Sequence, residues 1–183
     1  MKNFLMIIIL AFSASATIFA QKLEQSFIDQ FPLLEKTITD TDIRNLLREN
    51  KFLNESHKKI INASFYYKNR DFLPIARLET DKAVILIYAT IGEEDNVEDR
   101  EIFVNSIAYF RKNSELVGAS INLHMTGSGK TFTALNKATI EVRGKEYVFI
   151  YEEKGLETGR KKKTTSVYSV KRNCLSFERR QEE

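Results

Sequence analysis

Cysteine, histidine and proline are scarce in this sequence of 183 residues. It contains one cysteine, two histidines, two prolines and seven glycines, and it has no tryptophan. The single cysteine, Cys174, cannot form an internal disulfide, so packing alone must stabilise the fold. His57 and His124 have no second histidine, cysteine or carboxylate at a recognised ligand spacing. We therefore expect no zinc site.

A strong excess of charge of one sign is also missing. The formal net charge is +3, and basic and acidic residues are mixed along the chain. Proteins that bind nucleic acids usually carry a larger and more concentrated positive charge. We therefore expect no nucleic-acid partner, and no motif in the sequence predicts a cofactor.

The first twenty residues have the layout of a secretory signal peptide. Lys2 gives a positive start, residues 4–12 are almost entirely apolar, and small residues continue to Ala20. Cleavage after Ala16 or after Ala20 fits the pattern of small residues. The apolar run is too short to span a bilayer, so we expect a mature chain without a transmembrane segment, located in the periplasm or secreted.

Helical spacing dominates the next part of the chain. Apolar residues recur at Leu23, Phe27, Phe31 and Leu34, and Pro32 is expected to break this helix. A second helix is predicted after residue 39. Thr39 and Asp42 have cap-type spacing there, and an apolar stripe of Ile43, Leu46 and Leu47 follows.

From Ile60 onward the sequence predicts strands, with apolar residues at every second position. Strands are expected at 65–67, 72–78 and 83–90, and the last of these is apolar on both faces, which predicts the most buried strand. A long hairpin is indicated by alternation over 116–125, a glycine turn at 127–129 and renewed alternation over 132–142. A turn at 143–145 and a further strand at 147–151 are predicted to follow. A last strand is predicted at 165–177, where Cys174 is expected to be a buried or half-buried small residue.

These patterns favour a mainly β (α+β) fold. We expect an antiparallel meander of about eight strands, forming a curved sheet or a partly closed barrel with one or two short N-terminal helices. The predicted organisation is a signal peptide at 1–20, a helical segment at 21–58, a β domain at 59–178 and a charged tail at 179–183.

One glycine-rich motif resembles part of a phosphate-binding P-loop. Residues 127–131 read Gly-Ser-Gly-Lys-Thr, but His124 occupies the place of the first glycine that the motif requires. The motif also requires a following helix, whereas residues after Thr131 predict a strand. A hairpin turn therefore explains these residues better.

Three groups of residues are candidates for a site. Ser120, Asn122 and His124 share one predicted strand face and could line a pocket. The predicted acidic loop that contains Glu93, Glu94 and Asp95 lacks the spacing of a calcium loop and is a candidate interaction loop. The predicted basic loop that contains Lys161, Lys162 and Lys163 could make weak contact with an anionic surface.

The order of these features resembles that of a group of uncharacterised small exported proteins of Bacteroidetes bacteria. The matching elements are the signal end at Phe19, Ala20 and Gln21, the helix at 42–47, and strands at 72–77 and 84–88. The resemblance implies export and a β-rich fold, and it assigns no site residue.

The absence of a visible nucleophile and base favours a non-enzymatic binding or interaction module in the bacterial envelope, which an immunity-type protein would exemplify. Its partner would be an unknown protein or a small apolar ligand. Two alternatives stay open. One is a hydrolase of envelope or extracellular polymers whose site forms only in three dimensions. The other is a structural component of the envelope.

Overall fold

The chain forms short helices followed by strands. The computed structural model describes residues 25–64, 71–81, 83–91, 100–112, 115–117, 122–130, 134–171 and 174–183. The helices in these ranges are α1 (Gln25–Ile28), α2 (Asp40–Arg48) and α3 (Glu55–Ser64). The strands are β1 (Phe72–Glu79), β2 (Ala83–Ile91), β3 (Ile102–Lys112), β4 (Glu115–Val117), β5 (Asn122–Lys130), β6 (Ala134–Arg143), β7 (Glu146–Gly155), β8 (Lys161–Lys171) and β9 (Cys174–Glu182).

All strand pairs in these residues are antiparallel, and they run in the order β1-β2-β3-β5-β6-β7-β8-β9, with β4 paired to β3. The mainly β, antiparallel architecture is therefore confirmed. The single meander is matched only in part, because β5 and β6 share just two register pairs, Gly129 with Asn136 and Lys130 with Leu135. This narrow junction divides the strands into an N-terminal group, β1 to β5, and a C-terminal group, β6 to β9. Within the described residues no closed barrel forms.

Residues 32–38 connect the two groups of strands. The backbone N–H of Arg77 in β1 donates to Pro32 O at 2.7 Å, and Leu34 N–H donates to Arg77 O at 2.9 Å. Ile38 and Ile140 then exchange two backbone hydrogen bonds of 2.8 Å. Since β5 pairs with β6 only at residues 135 and 136, the edge of β6 near Ile140 is open to this segment.

Two apolar clusters cover opposite faces of β1 to β3. The central cluster contains Ile85 and Ile87 of β2 together with residues of α2 and of β6, β7 and β8. The lateral cluster contains the intervening residues Val84 and Leu86, and it packs them against α1 and α3. Every residue from 83 to 90 is buried, so the prediction of a strand covered on both faces is confirmed.

Helix α2 begins at the predicted cap. Thr39 Oγ1 accepts a hydrogen bond from the backbone N–H of Asp42 at 3.3 Å, and Asp42 Oδ2 accepts from the Thr39 N–H at 2.7 Å. This reciprocal capping box satisfies N–H groups that the first turn leaves without partners. The apolar side of the helix then places Ile43 and Leu47 in the central cluster.

The prediction of strands from Ile60 onward is wrong for residues 60–64, which belong to α3. Asn54 caps this helix, since its Oδ1 accepts from the His57 N–H at 2.9 Å. His57, Ile60 and Ile61 are buried at helical spacing. The predicted strand that includes residues 65–67 lies outside the described residues.

Three further expectations about strands are corrected. Residues 127–129 lie within β5, opposite β3, and do not form the predicted turn. The predicted last strand at 165–177 is two paired strands, β8 and β9, in which Lys171 faces Cys174. Most of the predicted tail at 179–183 is the end of β9.

No helix among the described residues is long and apolar enough to cross a membrane. In the same part of the chain, no group of three or more histidine, cysteine, aspartate or glutamate residues is placed to hold a metal ion.

Candidate functional site

Lys161, Lys162 and Lys163 form the first residues of β8, so the prediction that they lie in a loop is wrong. Their partners on β7 are Lys154, Glu153 and Glu152 respectively. Two of these three pairs join opposite charges, and such pairs stabilise neighbouring strands. The lysine run therefore extends the ladder instead of remaining a solvated loop.

The other predicted site residues are not brought to this region by any described contact. Asn122 and His124 lie in β5 opposite Ile107 and Asn105 of β3. Ser120 lies outside the described residues, as do Glu93, Glu94 and Asp95. The prediction that Ser120, Asn122 and His124 share a polar face therefore falls outside what the structure describes.

The remaining histidine and the cysteine have separate locations. His57 is buried in α3, with its ring centroid 5.6 Å from that of Phe27 in the lateral cluster. This is the environment of a core residue. Cys174 is the first residue of β9, opposite Lys171, and its predicted burial lies outside the described side chains.

A second face of the C-terminal group carries the candidate site. Along β6, β7 and β8, Ala138, Ile140, Phe149 and Tyr168 pack in the central cluster. Successive side chains of a strand point to opposite sides, so the alternate residues of these strands form an outer face. At one end of the outer face lie four lysines, which we call the basic face: Lys137, Lys154, Lys161 and Lys163.

The basic face borders a groove of about 550 Å³. Its floor is the end of three neighbouring strands, because Lys137 pairs with Glu152 on β7 and Glu152 pairs with Lys163 on β8. The lining residues come from the ends of β6, β7 and β8 and from the last residue of the chain: Leu135, Lys137, Glu152, Glu153, Lys154, Lys161, Lys162, Lys163 and Glu183.

Five lysines and three glutamates line this groove, and among the described residues only two of these lysines are in ion pairs: Lys162, 3.5 Å from Glu182, and Lys163. Lys163 Nζ lies 4.0 Å from Glu183 Oε2, at the limit of an ion pair. Lys137, Lys154 and Lys161 form no salt bridge within the part of the chain that the structure describes. An anion that enters the groove therefore meets three ammonium groups that no acid already holds.

Lys154 and Lys161 also lie directly opposite each other on adjacent strands. Like charges in this position repel and destabilise a strand pair. In the register pairs that are described, no other pair joins two charges of the same sign. A bound anion between these two lysines would remove the repulsion.

The far end of the same outer face differs from the basic end, because its charged side chains form ion pairs. Arg179 donates two hydrogen bonds to Glu146, of 2.9 and 3.0 Å, and this holds the pKa of Glu146 below its ordinary value. Lys171 Nζ lies 2.6 Å from Glu178, whose pKa is lowered first by Lys171 and then by Ser169. The lack of salt bridges is therefore a property of the basic end and not of the whole outer face.

Between the two ends, a small apolar cluster supports the outer face. Val148, Ile150 and Val167 pack together and are buried. Val148 of β7 and Val167 of β8 are register partners, so the cluster joins these two strands on the outer face. The basic face therefore stands on a packed sheet and not on a loop.

Lys137 and Lys154 were absent from the residues that the sequence singled out. Both stand far from residues 161–163 in the chain, and only the register of β6, β7 and β8 brings them together. The alternation of Lys137 with the buried Ala138 indicated its outward direction. No sequence feature indicates which residue of β7 faces Lys161.

Comparison with protein-family models, with curated proteins and with solved structures finds no match for this chain.

Proposed function

We propose that this protein is an exported, non-enzymatic binding module that holds an anionic partner on the basic face. One observation supports the proposal most strongly. Lys137, Lys154 and Lys161 lie together beside a groove without salt-bridge partners among the described residues, while the charges at the other end of the same face are paired. Positive charge concentrated in this way attracts anions and raises the rate of encounter with them.

The architecture supports a role in binding. Both faces of β1 to β3 are covered by packed side chains, so this half of the molecule acts as a scaffold. We infer that the strands form one curved sheet that residues 32–38 partly close, since this segment bonds to both β1 and β6. Sites built on such rigid strands hold their binding groups in place at little conformational cost.

Export belongs to the same proposal. Residues 1–20 have the signal layout described above, and a periplasmic or secreted protein meets the anionic components of the envelope. Small apolar ligands are disfavoured for this groove, because eight of its nine lining residues are lysine or glutamate and only Leu135 is apolar.

Salt-dependent retention on a phosphate-bearing column tests the proposal. The protein is applied to phosphocellulose at low ionic strength and eluted with sodium chloride. Since each phosphate–lysine contact is screened by salt, we expect the Lys154→Ala/Lys161→Ala variant to elute at clearly lower salt than the wild type.

The matched control is Lys51→Ala/Lys145→Ala, which removes two positive charges from exposed positions away from the groove. We expect this control to elute with the wild type, and thermal unfolding verifies that both variants are folded. Equal shifts in the two double variants would contradict the proposal, because retention would then depend on net charge alone.

A further inference from the structure

The turn between β7 and β8 presents an apolar side chain next to the basic face. The backbone of this turn is well bonded, since Gly155 N–H donates to Arg160 O and Gly159 N–H donates to Gly155 O, both at 2.9 Å. Gly159 has φ +64°, a conformation that glycine adopts without strain. Leu156, at the tip, is 46 % exposed.

Leu156 differs in its surroundings from the other exposed large apolar residues of the described chain, Leu33 and Phe177. Phe177 packs edge-to-face on Tyr168, with ring centroids 5.7 Å apart. Leu33 lies in the segment beside β1. Lys154 precedes Leu156 and the four cations at 160–163 follow it, whereas the arginines that follow Phe177, Arg179 and Arg180, are held in ion pairs by Glu146 and Glu182.

Positive and negative side chains occupy different positions along this hairpin. The row nearest the tip pairs Lys154 with Lys161, and the next rows pair Glu153 with Lys162 and Glu152 with Lys163. The acids of the strands therefore lie farther from the tip than the first two lysines. Glu157 is the one acid of the turn itself, and Arg160 offsets its charge.

We propose that the β7–β8 hairpin docks on an anionic phospholipid surface, with Leu156 inserted at the boundary between headgroups and acyl chains and with Lys154 and Lys161 on lipid phosphates. This inference rests on the proposed function, because it names the anionic partner of the basic face. An apolar residue flanked by lysines suits the membrane interface, where both burial of apolar surface and attraction to anionic lipids contribute.

A phosphate held between Lys154 and Lys161 would also relieve the repulsion within that pair. Because Leu156 lies just beyond the pair, one membrane surface can contact all three residues at the same time. A soluble phosphate or an acidic protein would use the lysines but would gain nothing from an exposed leucine at the tip.

Co-sedimentation with lipid vesicles tests this inference. Purified protein with the same N-terminus in every variant is mixed with vesicles of phosphatidylcholine alone, or with vesicles containing about a third phosphatidylglycerol. We expect binding to the anionic vesicles only. Loss of a lysine near a membrane lowers the partition coefficient about fivefold, so Lys154→Ala/Lys161→Ala should lower it about thirtyfold.

Leu156→Ala separates membrane docking from simple anion binding. We expect this variant to bind anionic vesicles about fivefold more weakly, since less apolar surface is inserted, and to elute from phosphocellulose with the wild type. Leu33→Ala is the matched control, because Leu33 is 48 % exposed but lies away from the basic face, and it should bind like the wild type.

Two results would overturn the inference while leaving the proposed function intact. One is lysine-dependent retention on phosphocellulose without binding to anionic vesicles, which would assign the site to a soluble anion or an acidic protein. The other is unchanged vesicle binding by Leu156→Ala. If the double lysine variant matched the wild type on both the column and the vesicles, the proposed function itself would fail.

Discussion

At the scale of single residues, short local contacts fix the ends of elements. Thr39 and Asp42 are three residues apart, and their reciprocal bonds begin α2 where the sequence predicts it. Asp42 also has an electrostatic role, because the hydrogen bonds from Thr39 lower the pKa of its carboxyl from the ordinary value of 3.8. The charged form of Asp42 is thus favoured by folding.

Asp42→Asn should therefore destabilise the protein at neutral pH but not in acid. A carboxyl whose pKa is depressed in the folded state contributes stability above its unfolded pKa and loses that contribution as the pH falls through the folded pKa. We expect a loss of about 0.5 kcal/mol at pH 7, typical of an acid in the first turn of a helix, and almost none near pH 2.

Urea unfolding at a series of pH values measures this difference. Glu35→Gln is the control, since Glu35 is exposed and has no described side-chain contact. A penalty for Asp42→Asn that stayed constant from pH 7 to pH 2 would contradict the role given to its charge.

Gly144 is a second position at which one residue decides the local structure. It has φ +62° in the turn between β6 and β7, and a Cβ added there would meet no atom within 4 Å. Gly144→Ala should therefore cost about 1 kcal/mol from backbone strain alone. Equilibrium unfolding checks this value against Lys145→Ala, an exposed neighbour that we expect to be neutral. Equal stability of the two variants would be inconsistent with the turn described here.

At the scale of elements, alternation of apolar residues predicted several strands, but it did not predict β3 and it did not give all strand limits. It located β1, β2, β6 and β7, where one face or both are buried in continuous strands. It failed at 127–129, because glycine is permitted in a strand as well as in a turn. It failed also at 165–177, because alternation continues on both sides of residues 172 and 173.

Helix α3 was missed for a related reason. The adjacent apolar residues Ile60 and Ile61 fit the start of a strand as well as a helix, although Asn54 gives a cap signal ahead of them. Packing in the lateral cluster decides between a helix and a strand at these residues, and that packing depends on α1 and on β1 to β3. Sequence alone does not contain this information.

The two faces of β6 should respond differently to truncation. Ile140 is 1 % exposed in the central cluster, so Ile140→Ala should cost about 3 kcal/mol of unfolding free energy. Thr139, its neighbour on the outer face, is half-buried, and Thr139→Ala should cost well below 1 kcal/mol. Chemical unfolding measures both. A larger loss for Thr139→Ala would mean that β6 presents the opposite face to the core.

At the scale of the whole molecule, β1 to β3 form a buried scaffold and the C-terminal group presents an exposed surface. Strands β1 to β3 are covered on both faces, whereas the outer face of the C-terminal group remains open at its basic end. The β-rich class and the helical start were predictable from the sequence. The basic face was predictable only in part, because Lys161 to Lys163 form a visible run but Lys137 and Lys154 join them through strand register.

If anionic partners bind at the basic face, the backbone amides of that face should respond to an added anion. The most direct measurement follows backbone amide chemical shifts while a short-chain phosphatidylglycerol is added to the folded protein. We predict that the largest changes occur at residues 135–137, 152–163 and 183, and that they vanish in the Lys154→Ala/Lys161→Ala variant. Changes concentrated in β1 to β3, or equally large changes in that variant, would contradict binding of anions at the basic face.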